Sequence, residues 1–182
     1  MMLLQTPICD FGWKAPDFVL KDPDGQVMSL EQIRGDKGTL IAFICNHCPY
    51  VKAVIAQLVG DVKILQEAGI GVAAVMSNDF HSYPEDSPQN MKIFAAENGF
   101  TFPYLLDEDQ SVARQYDAVC TPDFFGFDAE LGLQYRGRLD ASTARVVPGA
   151  RRELREAMLA VAKTGKGPEA QTASMGCSIK WK

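Results

Sequence analysis

The sequence predicts an α/β domain, and three features predict it. Thr39-Leu40-Ile41-Ala42-Phe43-Ile44 is an apolar run of strand length; Val51, Val54, Ile55, Leu58, Val59, Val62 and Leu65 then recur on one helical face; and Ile70 to Met76 is a second unbroken apolar run. Such runs suit strands covered on both faces, and strand, helix, strand in that order make a parallel βαβ unit with a right-handed crossover.

The other elements follow from local signals. Ahead of the unit, residues 17–20 and 26–28 read as two short strands joined by the turn Asp22-Pro23-Asp24-Gly25, and Ser29 to Ile33 reads as a brief helical turn ending at Gly35. In the long helix Pro49 falls in the first turn, where an N–H has no partner to lose, and Gly69 is the stop. A polar loop over residues 77–87 carries Asp79, His81 and Glu85, read either as substrate contacts or as a solvated loop. Then come a helix from about Pro88 to Asn98, a strand over 102–105, a helix over 111–117, an antiparallel hairpin of 123–127 with 134–138, and an amphipathic helix over 151–163. Thr164-Gly165-Lys166-Gly167-Pro168 opens a tail. The expected organisation is one domain over residues 1–182, with its core at about 15–164 and a flexible tail at 165–182, although Ile179 and Trp181 favour docking of that tail somewhere.

At 182 residues and 47% hydrophobic composition, the chain can bury about 70% of its unfolded surface and needs no disulfide scaffold. Its 18 basic and 23 acidic residues show no long like-charged run, which argues against nucleic acid or an anionic membrane and leaves small molecules or proteins as partners. The first residues have neither a basic region nor an apolar stretch of signal or membrane-span length, so a cytoplasmic setting is expected. In a reducing compartment, five cysteines are more simply catalytic, metal-binding or buried than bridged.

Two of them carry the chemistry. Cys45-Asn46-His47-Cys48 falls where the strand hands over to the helix, and a helix N-terminus offers unpaired N–H groups and partial positive charge that stabilise a thiolate. Cys48 is one turn from Cys45 and can close a short disulfide with it. A zinc site would need a second ligand pair, and the sequence has no other C-x-x-C or paired-histidine motif, so no metal or other cofactor is expected. His47 is read either as a cation that stabilises the neighbouring thiolate or as a solvated side chain.

The element order and the placement of Cys45 and Cys48 resemble the thioredoxin fold, in its redoxin branch of AhpC/TSA-type, peroxiredoxin-like and thioredoxin-like thiol–disulfide oxidoreductases. The resemblance is carried by Ala15-Pro16-Asp17-Phe18, Cys45-Asn46-His47-Cys48-Pro49, Phe102-Pro103-Tyr104-Leu105-Leu106-Asp107, Val112-Ala113-Arg114-Gln115-Tyr116 and Thr121-Pro122, in that order. It implies a three-layer α/β/α sandwich with a mixed central sheet and an N-terminal β-hairpin extension. It also implies that Cys45, as the more exposed first cysteine, attacks and Cys48 resolves. Thr121-Pro122 is then a cis peptide facing the cysteines, with the Thr121 backbone open to an extended substrate. Cys120 lies nearby, as a modulating thiol or as a small buried filler.

The expected function is thiol–disulfide exchange with an antioxidant role. Its partners are thiol- or disulfide-containing proteins or small molecules, with a reductant such as a thioredoxin or glutathione system. A thiol-dependent peroxidase is the alternative, since Cys48-Pro49 resembles the peroxidatic Cys-Pro. Against it, the threonine three residues earlier is replaced by Cys45, and the arginine that precedes the late strand is replaced by Pro122. A third reading, of another class, is a soft-metal-binding or chaperone-like module that holds Cu(I) through Cys45, His47 and Cys48. Cys177 is noted as a further thiol on the tail, and Cys9 is given no role.

Overall fold

In the computed structural model, which describes residues 2–182, six consecutive buried residues make β4 (Gly38–Phe43) an interior strand of the main sheet. β5 (Ile70–Met76) runs parallel on one side, with Gly38 opposite Ile70, and β8 (Asp123–Phe127) runs antiparallel on the other, with Thr39 opposite Phe127. The sheet extends through β6 (Tyr104–Leu106) to the hairpin of β2 (Val19–Lys21) and β3 (Val27–Ser29), and at its other edge to β9 (Leu133–Tyr135). Its seven strands are ordered β3-β2-β6-β5-β4-β8-β9 and are mixed in direction.

Alternation along β4 builds two cores, because successive side chains of a strand leave on opposite faces. Leu40 and Ala42 join Val51, Leu58, Met91, Leu154 and Met158, from α2 (Pro49–Glu67), α3 (Pro88–Glu97) and α5 (Glu153–Thr164). Ile41 and Phe43 meet Phe18, with Leu30 of α1 (Leu30–Ile33), Val112 of α4 (Ser111–Gln115) and Trp13. Helices therefore cover both faces. The apolar stripe of α2 is buried from Val51 to Leu65, each such side chain contributing about 1.5–3 kcal/mol. That anchoring fixes the helix end that carries Cys48.

The segment 165–182, expected as a flexible tail, is laid into the fold. β10 (Met175–Ser178) lies between β1 (Leu3–Gln5) and β7 (Cys120–Thr121) in a second, three-stranded sheet. Beyond it, the Lys180 N–H donates to Asn78 Oδ1 at 2.9 Å, and Trp181 stacks under the Arg114 guanidinium at 4.4 Å. The tail docks because its backbone donors and acceptors find partners and the Ile179 side chain is buried. Gly176 makes this possible, since a Cβ there would collide with the Thr121 carbonyl.

Candidate active site

Cys45 leaves the end of β4, and Cys48 is the N-cap residue of α2, with Pro49 in the first turn. Both are buried, at 1% and 0% exposure, so the expectation that Cys45 is the more exposed thiol is not met. The Thr121–Pro122 bond is cis, and Thr121 faces both sulfurs. Its hydroxyl lies 3.3 Å from Cys45 Sγ, and its carbonyl oxygen lies 3.2 Å from Cys48 Sγ. On the other side of Cys48, the Cys177 sulfur of β10 is 2.9 Å away.

The two residues between the cysteines are held by a carboxylate from the loop after β5. Asp86 is fully buried at the end of a single 3-10 turn, Pro84–Asp86. One of its oxygens accepts the backbone N–H groups of Asn46 at 2.8 Å and His47 at 3.3 Å; the other lies 2.6 Å from His47 Nδ1 and accepts Asn78 Nδ2 at 2.8 Å. The Asn46 side chain is fixed as well, donating to the Glu85 carbonyl at 3.0 Å and accepting the Tyr104 hydroxyl at 2.9 Å. The His47 ring stacks on Tyr83 with centroids 5.6 Å apart. Every polar group of the Cys-Asn-His-Cys turn named here is thus committed before any substrate arrives.

The electrostatics divide the two thiols. Cys48 falls to about 5: the hydrogen bond from Cys45 stabilises its thiolate, burial opposes this, and Cys177, Thr121 and the Val51 N–H of the helix N-terminus add to the stabilisation. Cys45 moves well above an ordinary thiol, because it donates to Cys48, is buried and faces the Asp86 carboxylate. Cys177 is pushed up to about 12 by burial and then by its bond to Cys48. The site thus favours negative charge at Cys48 over its two sulfur neighbours, Cys45 and Cys177. Asp86 raises the His47 pKa through their hydrogen bond, against burial. Asp86 itself is held below the usual carboxylate range: burial opposes this, and His47 and Asn78 outweigh it.

The remaining candidates sort differently. Cys120 is buried, with its thiol 3.7 Å from the Pro122 carbonyl, and burial raises its pKa; it packs beside the site without reaching Cys45 or Cys48 by a hydrogen bond. Cys9 is pushed up to about 11 by burial, and its thiol meets Gln171. Cys45, His47 and Asp86 bring one ligand atom each within 4.8 Å of one another, the grouping here that could hold a metal, although both Asp86 oxygens already carry hydrogen bonds. Sequence reasoning missed Asp86: it named Asp79, His81 and Glu85 on the same loop, and nothing local marks Asp86 from its acidic neighbour.

A mixed sheet covered by helices on both faces, with two thiols at a helix N-terminus opposite a cis X-Pro bond, defines a thioredoxin-like redox protein. The chain belongs to the AhpC/TSA family, which residues 11–136 match. It is 28% identical to the thiol-disulfide oxidoreductase ResA of Bacillus subtilis over 119 residues, covering 65% of this chain and 62% of ResA. It is 25% identical to peroxiredoxin Bcp of Escherichia coli over 112 residues, covering 62% and 67%. The match spans a little over three-fifths of the length of the ResA proteins of Bacillus and Geobacillus. Among solved structures, an uncharacterized conserved protein from Geobacillus kaustophilus superposes with a TM-score of 0.94 at 46% identity, covering 100% of this chain and 97% of that one. Peroxidoxin BcpB of Mycobacterium tuberculosis shares the fold at a TM-score of 0.63 and 16% identity, covering 86% and 97%.

Proposed function

We propose that the chain is a thiol–disulfide oxidoreductase with an antioxidant role, cycling between dithiol and disulfide at Cys45 and Cys48. The observation that carries this reading is the pair itself: Cys45 and Cys48 at the start of α2, both against Thr121 of the cis Thr121–Pro122 bond, with Cys45 lowering the Cys48 pKa to about 5. In the reductive direction Cys48 attacks a disulfide RS–SR and expels RS⁻, and Cys45 then attacks the Cys48 sulfur and expels the second thiolate. Two protein thiols become one disulfide, and the substrate disulfide becomes two thiols. Roles are reversed from the sequence expectation, because the helix N-terminus and three neighbouring groups favour charge at Cys48.

Substrates are disulfide- or thiol-bearing proteins or small molecules, and a thioredoxin or glutathione system would return the pair to the dithiol. The cysteine usage and composition support a reducing, cytoplasmic setting. Peroxide reduction is the second reading, favoured by the low pKa of Cys48 next to Pro49. Against it, Arg136, just past the end of β9, is committed to Asp123 at 3.1 Å and to the Asp117 carbonyl at 2.6 Å, rather than available to polarise a peroxide. Assaying the reduced protein side by side for reduction of insulin-type disulfides and for consumption of hydrogen peroxide separates the two. Disulfide reduction well above peroxide consumption is expected, and the opposite ranking would make the peroxidase the main activity.

A further inference from the structure

Cys177 reaches the reactive pair on a strand fixed along its length. It stands opposite Leu3 of β1 and Thr121 of β7. Just before it, Ser174 Oγ donates to the Pro122 carbonyl at 2.7 Å; just after it, the Ser178 N–H donates to the Met2 carbonyl at 3.0 Å and the Ile179 N–H to the Val119 carbonyl at 3.2 Å. The close approach depends on Gly176, where any side chain would strike Thr121. The 2.9 Å between Cys48 Sγ and Cys177 Sγ is therefore set by backbone register, not by a swinging side chain. A disulfide requires the sulfurs to close by about 1 Å more, to about 2.05 Å.

We propose that Cys177 is a third redox-active thiol that competes with Cys45 for Cys48, so that oxidation ends in either a Cys45–Cys48 or a Cys48–Cys177 disulfide. The inference rests on the exchange function argued above and names an additional participant in it. When the mixed disulfide Cys48–S–SR has formed, Cys177 loses its proton to the departing thiolate or to water and attacks the Cys48 sulfur; RS⁻ leaves and takes up a proton. Alternatively Cys177 attacks Cys48 within a completed Cys45–Cys48 disulfide, and Cys45 leaves as the thiol. The second route moves the bond without gain or loss of electrons. The two products differ in what they tie down. A Cys45–Cys48 bond closes a single helical turn, whereas a Cys48–Cys177 bond fastens the C-terminal strand across the site and closes most of the chain into a loop.

The test uses the full chain with the substitution Cys45→Ser, oxidised by glutathione disulfide at low protein concentration, acid-quenched, alkylated, digested and analysed by mass spectrometry. A peptide linking Cys48 to Cys177 is expected as the main product, with two thiols lost per chain. Accumulation of glutathionylated Cys48 while Cys177 is alkylated, or a Cys48–Cys120 link, would overturn the proposal. Wild-type protein treated in the same way is the second measurement, independent of how the variant folds: both linkages are expected, and Cys45–Cys48 alone at every time point would contradict the third thiol. Cys177→Ser separates this proposal from the reading beneath it. If its Cys45–Cys48 disulfide neither forms nor exchanges, the oxidoreductase function fails, whatever Cys177 does in the other proteins.

Discussion

The two flanks of the cysteine pair are built from opposite materials. On one side Asp86 gathers the Asn46 and His47 N–H groups, the His47 ring and Asn78 into a charged, fully bonded cluster. On the other side lie thiols and backbone: Cys177, the Thr121 hydroxyl and carbonyl, and the cis Pro122. The first flank fixes the turn and sets its charge. The second flank decides what can reach the sulfurs, because β10 lies across them and Cys177 and Thr121 meet Cys48, while the Asp86 charge bears on Cys45. A redox centre assembled this way can have its potential altered from one side and its accessibility from the other.

The largest effect that sharpens this comparison is at Cys48 itself. Cys48→Ser removes the sulfur that Cys45 and Cys177 both face, and exchange activity should fall to background, whereas Cys45→Ser should still consume a disulfide reagent and end in a Cys48–Cys177 disulfide; the labelled thiol released and mass analysis of the protein read both. Capture by the Cys48→Ser protein instead would place the nucleophile at Cys45. Next comes Asp86→Ala, which strands two buried and two half-buried donors and should destabilise the fold by about 3 kcal/mol in urea titration. A loss under about 0.5 kcal/mol would mean that the turn holds itself.

Gly176→Ala acts on the opposite flank. The added methyl has no room against Thr121, so β10 should lift, and alkylation of Cys48 by iodoacetamide should quicken several-fold with little change in Asp86-dependent properties. An unchanged alkylation rate would show that β10 is not what shields the pair.

The smallest expected effect is the pH dependence of the His47–Asp86 contact. His47 has its pKa raised in the folded protein, so its contribution is fully present below the unfolded histidine value of about 6.5 and is lost as pH rises through the raised value. Asp86 is lowered, so its contribution is present above about 3.9 and is lost as pH falls through the lowered value. Stability attributable to the pair should therefore peak between these limits. His47→Gln should flatten the alkaline side of a stability-against-pH curve, and a curve unchanged on that side would mean the ring is held by Tyr83 stacking alone.

The first flank and the second also differ in how far the sequence discloses them. Strand, helix and strand around Cys45 and Cys48 were readable because periodicity and the three-residue cysteine spacing are local properties, as was the bounding of α2 by Pro49 and Gly69. Asp86 was hidden because its role depends on a single turn folding a distant loop back onto residues 46 and 47. β10 was read as tail because its pairing is short, two register positions with β7 and three with β1, and carries no alternating apolar pattern; Met175-Gly176-Cys177-Ser178 gains its place from partners more than 50 residues away. Ile179 and Trp181 were the one signal that the segment docks.

The central claim is that a single thiolate resides at Cys48, and the most direct measurement is the ultraviolet thiolate absorbance of the reduced protein against pH, in wild type and in Cys48→Ser. One thiolate should titrate in near pH 5 in the wild type and be missing from Cys48→Ser, the other thiols ionising only well above neutrality. A first ionisation near the ordinary thiol value of about 8.5, or an acidic transition that survives in Cys48→Ser, would contradict the account.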